Sequence, residues 1–377
     1  MFYRNRRVID LRVIRGNMRK ICDALPGNVR ALAVVKADAY GHGAVECAEA
    51  ALAGGASMLA VASVREGIQL RRKGIGAPVI VLGAVTEADA EAGVEYGLIQ
   101  TVCSPEMVRL CERSACQQRK QAEVHLKIDT GMGRIGIRSK EEKKAVLDAL
   151  SASPHVKLTG AFTHFSDADG DEAGIEYTRS QFRDFLSMTE DLPGGIIRHC
   201  CNSAAMHRFP EMMLDMVRAG ISLYGYPPVD TPLDLKPAMT WTAKISYIKE
   251  LPAGSFVSYG RTFRTEKAMR VATVTCGYAD GYHRAAGERG CVLIHGEKRK
   301  ILGRVCMDQM IVDITGMNHV LPGDNVTLMG CEGNESVSAE DLADWAGTIS
   351  YEILLSVGSR VEREFIRATE DKGEIER

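Results

Sequence analysis

In AVVKADAYGHG, residues 33–43, an apolar run ends abruptly at Lys36, and a short loop carrying Tyr40 follows. A lysine at a strand end ordinarily extends its ammonium into water. Held out of water as a free amine, it becomes a nucleophile for carbonyl carbon. Other polar residues recur at the same place relative to an apolar run. KIDTGMGRIG carries Lys127, Asp129 and Arg134, and FTHFSDAD carries His164. HCCNSAAM carries Asn202 and Ser203, and MVRAGISLYG carries Arg218 and the Gly220–Ile221 backbone. Each has an ordinary reading alone: a core histidine, an ion-pair arginine, a helix-capping serine, a turn glycine.

The elements that must carry these residues alternate along the chain. A helix begins after Asp10, a plausible N-cap, with Leu11, Ile14, Met18, Ile21 and Leu25 on one face. β-rich apolar runs near 29–36, 57–62, 78–83, 98–103, 122–128, 156–164, 196–201 and 215–219 then alternate with helical stretches. Their unbroken apolar character suits strands buried on both faces of a parallel sheet. Eight such units argue for an α/β fold, an N-terminal (β/α)8 TIM barrel over 10–228. The rival, a doubly wound open sheet, is weakened by that count and by the lack of a GxGxxG turn after the first strand. A proline-rich stretch, YPPVDTPLDLKPA at 226–238, reads as a linker. From about 229 to 377, taken with 1–9, the pattern predicts a mainly β domain. Its first strand alternates Met239, Trp241, Ala243, Ile245 and Tyr247 with polar residues. More strands are expected near 269–276, 291–295, 299–305, 310–315 and 324–329, with one short helix at 338–347.

The barrel register puts the polar set on one rim. Loops after the last two strands are the usual phosphate site of such barrels. There Ser203 offers a hydroxyl, and the Gly220 and Ile221 amides can face an anion. A phosphate seat and a lysine on one rim favour pyridoxal 5'-phosphate above other cofactors. Arg218 would face the ring nitrogen. A guanidinium holds its proton, so the nitrogen stays unprotonated and the ring is a weaker electron sink. Such a site suits proton exchange at Cα better than transamination.

Composition excludes several classes. Net charge is −2, and the basic clusters, RNRR and EKRK, are too short for a nucleic-acid footprint. No segment has the apolar length of a membrane span or a signal-peptide core. The 11 cysteines lack CxxC pairs and read as buried hydrophobes of a reducing compartment, which makes a cytoplasmic protein the expectation. No metal site is expected.

The chain resembles the alanine racemases over nearly its whole length. The matching segments are AVVKADAYGHG, KIDTGMGRIG, FTHFSDAD, NSAAM, VRAGISLYG, VSYGRTF, GYADGY, GRVCMDQM and YEILLSVGSRV. The resemblance implies a pyridoxal-phosphate isomerase that interconverts L- and D-alanine for peptidoglycan, working as a head-to-tail homodimer with shared sites. It implies that Lys36 holds the cofactor and serves as one catalytic base. Tyr259 would be the opposite base, given to the partner subunit's site. Tyr40, Ser203, Gly220, Ile221 and Tyr351 would hold the phosphate. Asn202 and His164 would border the cofactor, and Arg218 would face its ring nitrogen. Arg134 and the Met307 backbone would bind the substrate carboxylate. Lys127 matches a lysine that many members carry as a carbamate. Tyr278, Cys306 and Asp308 would support the site or line its entrance. The segment before Asp10 departs from the family in being basic and lacking its tryptophan.

Two fixed bases on opposite faces of Cα suit racemisation, since one base would have to cross the plane of the carbanion. Rival readings are a fold-related amino-acid decarboxylase, a non-enzymatic pyridoxal-phosphate carrier and a cofactor-free barrel aldolase. The decarboxylases' GGG-type phosphate loop and HVGS-like segment are absent, and neither a carrier nor an aldolase explains Tyr259. Serine in place of alanine stays open, because a small pocket rejects an added hydroxyl weakly unless built to do so.

Overall fold

The computed structural model describes residues 4–367, and the chain divides into two compact units. One comprises residues 14–39 and 43–236, the other 1–13, 40–42 and 237–377. In chain order β1 is Asn5–Asp10, β2 Arg30–Val34, β3 Met58–Val61, β4 Val79–Ala84 and β5 Ile99–Val102. Then come β6 Ala122–Lys127, β7 Val156–Phe162, β8 Ile197–His199, β9 Met216–Ala219 and β10 Met239–Leu251.

Strands β2 to β9 form an eight-stranded parallel sheet ordered β8-β7-β6-β5-β4-β3-β2-β9. The seam between β8 and β9 is nearly closed. Asp215 N–H reaches Arg198 O at 3.2 Å, and Arg218 N–H reaches Cys201 O at 3.0 Å. Every residue of β3, β5 and β9 is buried, so neither face has a polar stripe. The helices outside start where the sequence supplies caps. Ser63 with Glu66, Thr86 with Asp89 and Ser139 with Glu142 each form a capping box.

The proline-rich stretch is strapped to this unit. Asn17 Nδ2 donates to Leu223 O at 3.0 Å and Lys236 O at 2.8 Å, and Asn17 Oδ1 accepts Lys236 N–H at 3.0 Å.

The second unit is built on β10, which pairs antiparallel with β1, with Met269–Val274 and with Asn325–Glu332. β1 also pairs in parallel with Glu362–Ile366. The strand expected at 299–305 lies instead at Glu297–Lys300. A two-residue turn sets it: His295 and Gly296 have φ of 51° and 79°, and Ile294 faces Glu297. EKRK is therefore a lysine-rich strand at the end of the sheet order, a protected edge. The helix expected at 338–347 is Ala339–Ala346, and a second helix, Ser350–Ser356, carries Tyr351.

Candidate active site

Because the barrel strands are parallel, their C-terminal ends share one rim. Lys36 follows β2, Lys127 ends β6, His164 follows β7, Ser203 follows β8 and Gly220 follows β9. The barrel unit thus brings Lys36, Lys127, Arg134, His164, Asn202, Ser203, Arg218, Gly220 and Ile221 to one end. Tyr40, Tyr259, Tyr278, Cys306, Met307, Asp308 and Tyr351 belong to the other unit.

Lys36 sits on an unusual turn. Ala37, Asp38, Ala39 and Tyr40 all have left-handed backbone, with φ of 51–54°. That conformation costs roughly 1–2 kcal/mol per non-glycine residue. Local bonds hold it. Ala37 N–H reaches Glu66 Oε1 at 2.8 Å, and Asp38 Oδ1 accepts Ala44 N–H at 2.8 Å. Glu66 Oε2 accepts Ala62 N–H at 2.7 Å, so one carboxylate ties the turn to the end of the next strand. Lys36 Nζ has no hydrogen-bond partner among the described residues. Burial lowers its pKa, and the Arg134 charge lowers it further.

Arg218 is fully buried and holds the rim together. Its Nη1 donates to His199 O at 3.0 Å, and its Nη2 to Thr163 O and Cys200 O at 2.9 Å each. It also lies 3.2 Å from His199 Nδ1 and from His164 Nδ1. Arginine only donates, so both Nδ1 atoms accept, and both rings carry their proton on Nε2. His199 Nε2 is 3.0 Å from His125 Nδ1, which then also accepts. Burial, then the Arg218 charge, keeps His164 and His199 neutral, far below the usual histidine pKa. Burial brings Arg218 itself down to about 10. Its Nε–H makes no bond to any described residue, so one donor remains for a ligand.

The phosphate seat is formed by three segments. Asn202 is the helix N-cap, accepting Ala205 N–H at 3.0 Å, which frees the Ser203 hydroxyl for other work. Ser203 Oγ accepts Gly220 N–H at 2.9 Å and Ser222 N–H at 3.4 Å. The buried Ile221 N–H between them has no partner among the described residues. A buried amide without an acceptor is uncommon and suits an anion.

Lys127 is buried, donates to Ile128 O at 2.7 Å and lies 5.2 Å from the Phe162 ring centre. Burial above all, then the Arg218 charge, lowers its pKa to about 7, so a large share is free amine at neutral pH. Asp129 Oδ1 accepts the Gly131 and Gly133 amides at 3.1 and 3.0 Å, shaping the loop to Arg134. Arg134 is exposed and has no carboxylate partner among the described residues.

In the other unit, Tyr40 and Tyr351 rings lie 6.0 Å apart, and burial raises the Tyr40 pKa far above its usual value. Tyr259 is 65% exposed, on a turn with φ of 62° at Ser258, 73° at Gly260 and 53° at Arg261. The positive φ at Gly260 favours glycine there, while a Cβ would meet only the movable end of the Arg304 side chain at 2.8 Å. Tyr259, Cys306, Met307 and Asp308 line one open cleft. Met307 O accepts Ala279 N–H at 2.9 Å, while the Met307 N–H has no partner among the described residues. Tyr278 N–H donates to Cys306 O at 3.1 Å, and Asp308 is paired with Arg360 at 2.8 Å. Among the described residues no cluster of His, Cys, Asp and Glu could hold a metal.

Two family profiles match the chain: "Alanine racemase, N-terminal domain" over residues 9–228 and "Alanine racemase, C-terminal domain" over 238–365. The chain belongs to the alanine racemase family. Among curated alanine racemases, that of Halothermothrix orenii is 41% identical over 367 residues, 95% of each chain. The one from Carboxydothermus hydrogenoformans is 42% identical over 366 residues, 95% of this chain and 98% of its own. Among solved structures, alanine racemase from Bacillus anthracis with bound L-Ala-P superposes with a TM-score of 0.90 at 36% identity, covering 98% and 96% of the two chains. A histidine racemase from Leuconostoc mesenteroides is similar in fold, with a TM-score of 0.88 at 27% identity over 97% and 98% of the chains.

In this alanine racemase family member Glu66, Thr163, His199 and His125 hold the site without any motif that announces them. Glu66 was visible only as the last residue of a Ser-x-x-Glu capping box. The histidines lie inside apolar runs and carried no signal.

Proposed function

We propose that the protein interconverts L- and D-alanine with pyridoxal 5'-phosphate, as a cytoplasmic homodimer supplying D-alanine for peptidoglycan. The observation that carries this is the pairing, on one rim, of the unpartnered Lys36 amine with an anion seat that has an unpartnered Ile221 N–H. The residues fit the cofactor. Lys36 would carry it, the Gly220 and Ile221 amides and the Ser203 hydroxyl would hold its phosphate with Tyr40 and Tyr351, and Arg218 Nε–H would face its ring nitrogen. His164 and Asn202 would border it.

Bound there, the cofactor would withdraw electrons from the substrate and acidify its Cα–H. Arg134 and the Met307 N–H would hold the substrate carboxylate and fix which face of Cα each base meets. Lys36 Nζ takes or returns the Cα proton on one face, favoured by a pKa already lowered through burial. Tyr259 Oη does so on the other face, supplied to the partner's site. A carbamate on Lys127, formed when its free amine attacks carbon dioxide and a proton leaves, would be the anion that orients Arg134. Tyr278, Cys306 and Asp308 would shape the approach.

Purified protein should be yellow, and borohydride should fix the cofactor on Lys36. D-alanine in heavy water should exchange its α-proton and racemise. Colourless protein, or decarboxylation without racemisation, overturns the reading.

A further inference from the structure

One histidine beside the phosphate seat has no part in the scheme above. His207 lies four residues after Ser203 on the helix Ser203–Arg208, hence on the same face. Its Nε2 is 3.0 Å from Ser222 Oγ, and its Nδ1 is 3.1 Å from Thr231 Oγ1. Thr231 Oγ1 also accepts Leu233 N–H at 3.3 Å. Ser222 is completely buried, and its own N–H points at Ser203 Oγ. Burial holds the His207 pKa down to about 4, so the ring is neutral and one nitrogen donates while the other accepts.

Thr231 Oγ1 has two lone pairs, so it accepts Leu233 N–H and still bonds His207 Nδ1. In either neutral tautomer the imidazole bonds both hydroxyls and ties Ser222 to the strap. Ser222 lies on the same turn as the unpaired Ile221 N–H.

We infer that His207, pinned by Thr231, is a positioning residue that fixes Ser222 so that the 220–222 turn presents the Ile221 N–H to a phosphate monoester. The inference rests on the pyridoxal-phosphate reading and extends it to residues that do not touch the reacting atoms. The imidazole joins three segments: the helix that begins with Ser203, the turn itself, and the proline-rich strap. Loss of any link lets the turn shift, and phosphate affinity falls while the chemistry at Lys36 does not.

The test compares wild type with His207→Leu, Ser222→Ala and the double variant, by fluorescence titration of apoprotein. Three probes are used: pyridoxal phosphate, pyridoxal and inorganic phosphate. Each single variant should bind pyridoxal phosphate and inorganic phosphate at least tenfold more weakly, and the double variant no more weakly than either. Pyridoxal, lacking the phosphate, should bind all four proteins alike. At saturating cofactor, kcat and the alanine KM of His207→Leu should stay within twofold of wild type. Where His207→Leu does not fold, Thr231→Val replaces it in the same comparison. Phosphate affinities within twofold of wild type, or additive losses in the double variant, overturn the inference alone. Wild type that takes up no pyridoxal phosphate overturns the functional reading together with it.

Discussion

Glu66 Oε1 accepts the Ala37 N–H at 2.8 Å, so the left-handed turn beneath Lys36 is fastened to the neighbouring βα unit. The same carboxylate closes the capping box with Ser63. Glu66→Ala should therefore lose a helix cap, about 1 kcal/mol, and also loosen the lysine turn. Glu66→Gln keeps one acceptor for Ala37 N–H but sets an amide donor against the Ala62 and Ser63 N–H groups, so its stability should fall between wild type and Glu66→Ala. Urea denaturation of both, with the alanine variant no less stable than the glutamine one, would refute the double role.

Arg218 feeds three backbone carbonyls and two histidines. Arg218→Met leaves those buried acceptors unpaired, each costing about 1–3 kcal/mol. The melting temperature should drop steeply even in apoprotein. A shift of under a few degrees would mean that water replaces the guanidinium without penalty.

Lys127 has a folded-state pKa of about 7, well below the unfolded lysine value. Between about pH 7 and pH 10.4 the unfolded chain therefore binds more protons at this residue than the folded chain. Its penalty is full below the folded pKa and fades as pH rises through that window. In buffer freed of carbon dioxide, the stability of wild type relative to Lys127→Met should thus rise from pH 7 to pH 9.5. A constant difference between the two proteins would contradict the buried, neutral amine.

Tyr259 and Lys36 are proposed to serve opposite faces of Cα. Tyr259→Phe should lower proton abstraction from L-alanine by at least 100-fold, in the range of a lost general base. The Lys36-bound cofactor spectrum should persist. Equal exchange from both enantiomers in heavy water would remove Tyr259 from that role.

Substrate choice is a question of side-chain size. Tyr40 and Tyr351 are paired at 6.0 Å in one unit, and Tyr351 is proposed to keep the pocket small. L-alanine should turn over faster than L-serine, and L-histidine should not be racemised. Comparable rates for alanine and histidine, measured side by side, would place the specificity elsewhere.

Much of this was written in the chain. Unbroken apolar runs ending in polar residues announced a parallel barrel and its rim, because strands buried on both faces have no alternation to show. Capping boxes such as Ser63–Glu66 marked where helices begin, since their bonds close within four residues. Contacts between distant segments were not legible. Arg218, His199 and His125 form one buried chain only because β6, β8 and β9 converge, and no spacing rule links residues 125, 199 and 218. The left-handed backbone of Ala37 to Tyr40 contradicts the preference of every residue in it. Sequence alone determined the chemistry at each strand end. Tertiary structure decided which of those groups are held neutral, which donors stay free and which turns are strained, because burial and hydrogen bonding depend on neighbours far away in the chain.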